Sequence, residues 1–81
     1  MSLPYPKKLE IVANYLVNQF IMFTIDTHAN VNQEKMQDLY KNFDKITNKV
    51  LRERKFEARI IRESVPLAKE CIVRDFAEYL I

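Results

Sequence analysis

Between Lys41 and Arg62 the chain carries eight basic side chains against three acidic ones, whereas the remainder holds five basic and eight acidic residues. Set out at 100° per residue, Lys41, Lys45, Lys49, Arg52 and Arg59 fall within about 80° of helical arc, with Lys55 and Arg62 on one flank and Phe56 projecting among them. A ridge of this kind can neutralise successive phosphates or enter a major groove, with the phenyl ring free to stack on a base. Nucleic acid is therefore one expected partner. The same ridge also fits a solvated face or a second protein surface. At helical spacing only Lys49–Glu53 and Arg59–Glu63 attract, while Glu53–Glu57 repels, so the basic charge is not cancelled locally. A helix-turn-helix can be drawn with Glu34–Phe43 as the first helix, Asp44–Ile46 as the turn and Thr47–Arg59 as the reader, but its turn lacks the glycine such motifs often carry.

Other reactive groups are sparse. His28 beside Asp26 has the chemistry of a metal-ligand pair or of an acid–base pair, yet it is the only histidine and no further ligands stand at a recognisable spacing. Loop hydrogen bonding is the better reading. Cys71, the only cysteine, has Arg74 one turn away to lower its pKa but no base to make it a nucleophile. Glu70, Asp75 and Glu78 form an acidic patch suited to solvation or to a basic ridge on another subunit. Catalysis needs convergent polar groups in a pocket, and the candidates here are scattered. The chain is expected not to be an enzyme and to hold no metal or cofactor.

The elements that carry these residues are helices. Eighty-one residues without a single glycine make one domain, residues 1–81, and leave no easy source of left-handed turns, tight hairpins or phosphate-cradling loops. An all-α fold of three helices is expected, after an extended lead-in over residues 1–6 set by Pro4 and Pro6. Helix 1 is expected from about Lys7 to Thr24, burying Leu9, Val12, Ala13, Leu16, Phe20 and Phe23. Asp26–Asn30 connects it to helix 2, whose expected cap is Asn30, with Gln33 three residues on and Thr27 or Asn32 as alternatives. This long central helix runs from about Val31, with Met36, Leu39, Tyr40, Phe43, Ile46, Val50, Leu51, Ala58, Ile61 and Val65 in one stripe. Its weak points are residues 44–48 and the charged run 52–55. Pro66 is expected to end or kink it, with Ser64 capping a third helix that buries Ala68, Ile72, Val73, Phe76, Ala77, Tyr79 and Leu80.

Helix 1 is apolar nearly all round, because Ile11, Tyr15 and Met22 lie opposite its core stripe. Three helices cover one such side well, not two. The surplus predicts a homodimeric helical bundle, with Ile11, Tyr15, Met22, Met36, Phe43 and Val50 at the contact. The functional expectation is a small protein-interaction or regulatory module acting as a homodimer; the alternative is a nucleic-acid-binding regulator using the basic ridge. A lipid-surface role for helix 1 is a third reading. The uncharged run Ile11–Ile25 is too short and too rich in amides to span a bilayer. With no signal peptide in view and one lone thiol, a cytoplasmic setting is expected.

Overall fold

The structure is a computed structural model and describes residues 3–81. Helix α1 spans Tyr5–Thr24, α2 Gln33–Lys41, α3 Phe43–Glu53 and α4 Ala58–Leu80. The fold is all-α, as the periodicity implies, but it has four helices rather than three. Of the expected lead-in over residues 1–6, residues 1 and 2 lie outside the described residues, and Tyr5 and Pro6 already belong to α1. Proline is tolerated in a first turn because its missing N–H would have had no partner there.

The long central helix is divided twice. Asn42 separates α2 from α3 with φ −102° and ψ 12°, and its side-chain amide donates to the Asp38 carbonyl at 3.0 Å, offering the backbone an alternative to helix continuation. The second division falls at residues 54–57. There Lys55 takes φ 62°, its N–H donates to the Arg52 carbonyl at 2.9 Å, and the Phe56 N–H donates to the Leu51 carbonyl at 3.1 Å. That pair of bonds is a Schellman closure, with lysine at the left-handed position usually given to glycine.

Pro66 does not end a helix: it lies inside α4 among residues of helical φ/ψ, and the kink in that helix falls at Phe76, with φ −128° and ψ 21°. Pro66 and Arg62 are both exposed, so the carbonyl that loses its partner is on the solvent side. Ser64 is accordingly not a cap. It is fully buried in mid-helix, and its hydroxyl has no hydrogen-bond partner among the described residues. With Ala13 and Ala68, also buried, it keeps side-chain bulk low on α1 and α4, the most extensively packed pair of helices.

The turn between α1 and α2 is closed by a single antiparallel bridge, Ile25 to Val31. Asp26 organises it: one carboxylate oxygen accepts the N–H groups of His28 and Asn30 at 2.8 and 2.9 Å, the other the Asn30 amide at 3.2 Å. Ala29 takes φ 63° within it. Asn32, not Asn30, caps α2, accepting from the Lys35 N–H at 3.0 Å.

The legs run up, down and up. Tyr5 meets Arg59 and Glu63 at one end, and Phe20 meets Phe76 at 6.4 Å near the other, so α1 and α4 are parallel. The α2–α3 leg returns antiparallel: Gln37 reaches the carbonyls of Tyr79 and Ile81, Asp44 pairs with Lys69, and Arg54 stacks over Tyr15. The long axis is 40 Å, little more than the ~35 Å of α4 itself. The core between the legs is closed by Leu16, Phe20, Met36, Phe43, Leu51 and Ile72, with Phe20 edge-on to Phe43 at 6.1 Å. Two buried threonines return their hydroxyls to their own helices, Thr24 to the Phe20 carbonyl and Thr47 to the Phe43 carbonyl. Val73 and Ala77, expected inside, are exposed.

Candidate functional site

The His28–Asp26 pair is a turn, not a reactive site. Asp26 spends its carboxylate on three hydrogen bonds, and the backbone N–H of Asn30, then that of His28, then the Asn30 amide hold its pKa below the usual aspartate value. Among the described residues no group of three or more His, Cys, Asp or Glu side chains converges to hold a metal. Cys71 is a half-buried free thiol on α4. Arg74 pairs with Asp75 at 3.1 Å, and that hydrogen bond, with a smaller contribution from the nearby Cys71, pushes its guanidinium pKa further up.

The basic ridge is split across three helices and a loop. Lys41 closes α2, Lys45, Lys49 and Arg52 stand on α3, Lys55 and Phe56 belong to the loop, and Arg59 and Arg62 begin α4. Arg59 is engaged by the Tyr5 ring at 3.7 Å and by Glu63 at 3.6 Å. Phe56 faces away from the lysines, into a recess it shares with Leu3, Ile11 and Ile60. Both lie beyond the break at 54–57 and so leave the helical face of Lys45, Lys49 and Arg52; Phe56 has Lys8 and Arg54 beside it in its recess. The helix-turn-helix is not formed as drawn, since one residue, Asn42, joins α2 to α3 where a three-residue turn was required.

The apolar surplus lies between α1 and α3. Every other pair of helices approaches closely along its backbone, but the α1 and α3 backbones stand apart and meet through side chains, Phe20 on Phe43, although both pack on α4. Between them runs a trough of about 110 Å³, floored by Leu16, Phe20 and Phe43 and walled by Tyr15, Gln19 and Phe23 on one side and Ile46 and Val50 on the other. Near Tyr15 it adjoins the recess of about 320 Å³ that holds Ile11, Phe56, Lys8 and Arg54. Near Phe23 and Ile46 it adjoins one of about 340 Å³ with Leu39, Lys35 and Asp38. Along this flank Met22 is 72% exposed, Phe23 57%, Ile11 47% and Ile46 42%.

Of the six residues expected at a dimer contact, Ile11, Tyr15 and Val50 border this flank, and Met22, which lines a separate recess at the α1–α2 turn, shares the Ile11–Tyr15 face of α1 by helical spacing. Met36 is closed inside one copy, and Phe43 reaches this flank only as part of the trough's floor. They are 0% and 2% exposed, because α2 and α3 turn that stripe onto α4 and α1. Phe23, Ile46 and Leu39 are the flank residues that sequence reasoning assigns to the core. Leu39 and Ile46 sit at the margin of their stripe, where burial depends on how close the neighbouring leg comes, and Phe23 lies within its stripe but in the last turn of α1.

Among the described residues no helix is long and apolar enough to cross a membrane. The chain matches no protein-family model, no curated protein and no solved structure.

Proposed function

We propose that the chain is a non-catalytic helical interaction module that works as a homodimer, with α1 of one copy filling the gap between α1 and α3 of the other. The observation that carries this reading is the gap itself. Three legs of a bundle, α1, α2–α3 and α4, pack together, the position between α1 and α3 is vacant, and residues bordering it are apolar and exposed. Large apolar surface on a small domain costs free energy until a partner covers it.

A second copy suits the vacancy because the flank is self-complementary. Residues 11–25 hold no charge, with Lys7, Lys8 and Glu10 before them, Lys7 paired with Glu10 at 3.9 Å, and Asp26 after. An antiparallel two-fold pairing sets Ile11 against Met22 of the other copy and brings each lysine end beside the other's aspartate. Two-fold interfaces require such a repeated patch. The lone half-buried thiol suits a reducing, cytoplasmic compartment.

Sedimentation velocity tests the reading. The wild-type chain is expected to run as a dimer at micromolar concentration, not as a 9.7 kDa monomer. Met22→Glu alters a residue 72% exposed within one copy, so helicity and melting of the isolated fold should hold, within about 0.5 kcal/mol. In the dimer it buries two unpaired carboxylates, at about 2–3 kcal/mol each, and should raise the dissociation constant roughly a thousandfold or more. A monomeric wild type, or a variant that still sediments as a dimer, refutes the proposal.

A further inference from the structure

The break at residues 54–57 dissolves the long basic ridge but leaves a shorter one intact. Lys45, Lys49 and Arg52 lie within about 60° of arc on α3, opposite its buried residues Phe43, Thr47 and Leu51. All three are exposed, as are Lys41 at the end of α2 and Arg62 on α4. The ion pairs among the described residues are Lys7–Glu10, Arg59–Glu63, Lys69–Asp44 and Arg74–Asp75, and none involves these five cations. Asp44, the acidic residue on the inner side of the row, is committed to Lys69 at 3.4 Å. Glu53 stands one turn beyond Lys49, at the edge of the row nearest Ile46, and makes no ion pair among the described residues.

From this we infer a second binding surface: the outer face of α3, with Lys41 and Arg62 beside it, holds the phosphodiester backbone of double-stranded nucleic acid. Successive cations on the row rise about 6 and 4.5 Å along the helix, close to the spacing of neighbouring phosphates. The contact is with backbone and not with bases. Phe56 is turned into the apolar recess, and Tyr40 sits half-buried with the Lys69 ammonium over its ring at 5.3 Å, so no aromatic side chain is free on this face to stack. The sign asymmetry favours one approach direction, because residues 41–62 carry an excess of basic charge and the rest of the chain an excess of acidic charge. This surface lies away from the α1–α3 gap, so it stands whether or not the chain dimerises.

The test is fluorescence anisotropy with a labelled 20-base-pair duplex, alongside co-sedimentation with phosphatidylserine vesicles. Three or four phosphate contacts predict that affinity falls about 40- to 150-fold between 50 and 200 mM salt. K45E/K49E should abolish duplex binding with unchanged helicity. K35E/R74E makes the same change in net charge elsewhere on the surface and should retain binding to within severalfold. Absence of duplex binding at 50 mM salt, an equal loss in both variants, or binding to vesicles without binding to duplex overturns the inference.

Discussion

Lys55→Gly should make this protein more stable, although it deletes a long side chain and touches no core residue. Lys55 is held at φ 62° by the Schellman closure of α3, with its own N–H on Arg52 and the next N–H on Leu51. For a residue with a Cβ, the left-handed conformation costs roughly 1–2 kcal/mol, and glycine escapes that cost. Glycine also loosens the unfolded chain, which offsets about 0.4–1 kcal/mol of the gain. The expected net stabilisation is about 0.5–1 kcal/mol. In a domain of this size that raises Tm by about 2–8 °C. Circular-dichroism melts at fixed protein concentration read the shift, and urea titrations at constant slope confirm that the native state has not changed. Lys55→Ala is the control, because it removes the charge and the methylenes but keeps the Cβ, and it should gain nothing. A glycine variant no more stable than the alanine variant would show that the strain assigned to this position is not there.

Phe20→Ala removes a ring 1% exposed at the junction of α1, α3 and α4 and should cost about 3–5 kcal/mol. Against roughly 4–12 kcal/mol for 81 residues, a broadened or abolished thermal transition is expected. Gln37→Ala frees the carbonyls of Tyr79 and Ile81 that its amide now caps, so about 1 kcal/mol should be lost, with hydrogen exchange rising first in the last turn of α4. The Asp26 carboxyl has its pKa lowered in the folded state, chiefly by the Asn30 N–H. Its contribution is therefore present above the ordinary aspartate pKa and fades as the pH drops through the lower, folded value. In Asp26→Asn that part of the acid dependence should be missing from melts taken between neutral pH and about pH 2, and a variant with an unchanged acid limb would contradict the assignment.

The gap between α1 and α3 and the row on α3 are legible in the sequence to different degrees. Periodicity alone picks out Ile11, Tyr15 and Met22 as a second apolar side of helix 1, because 3.6-residue spacing is a property of the local chain. It also brings Lys45, Lys49 and Arg52 together, since all three lie on one unbroken helix. The same logic fails for Arg59 and Phe56. Extending the angle count beyond residue 53 assumes a continuous axis, and a single left-handed residue resets it. Met36 and Phe43 pass for contacts between copies because an apolar stripe does not say which neighbour covers it.

The sequence by itself determined the class of the fold and its local joints. The absence of glycine, the helical spacing of the apolar residues, the capping asparagine before α2 and the carboxylate-centred turn at Asp26 all act within a few residues, where propensity and hydrogen bonding are decided. Tertiary structure alone decided that Pro66 is accommodated in mid-helix, that Ser64 is buried rather than a cap, and that α1 and α3 stand apart over a common neighbour. Those outcomes depend on the distance between segments far apart in the chain. Packing energy sets that distance, and only the closed core supplies enough of it to override a proline's local preference or to leave an apolar flank uncovered.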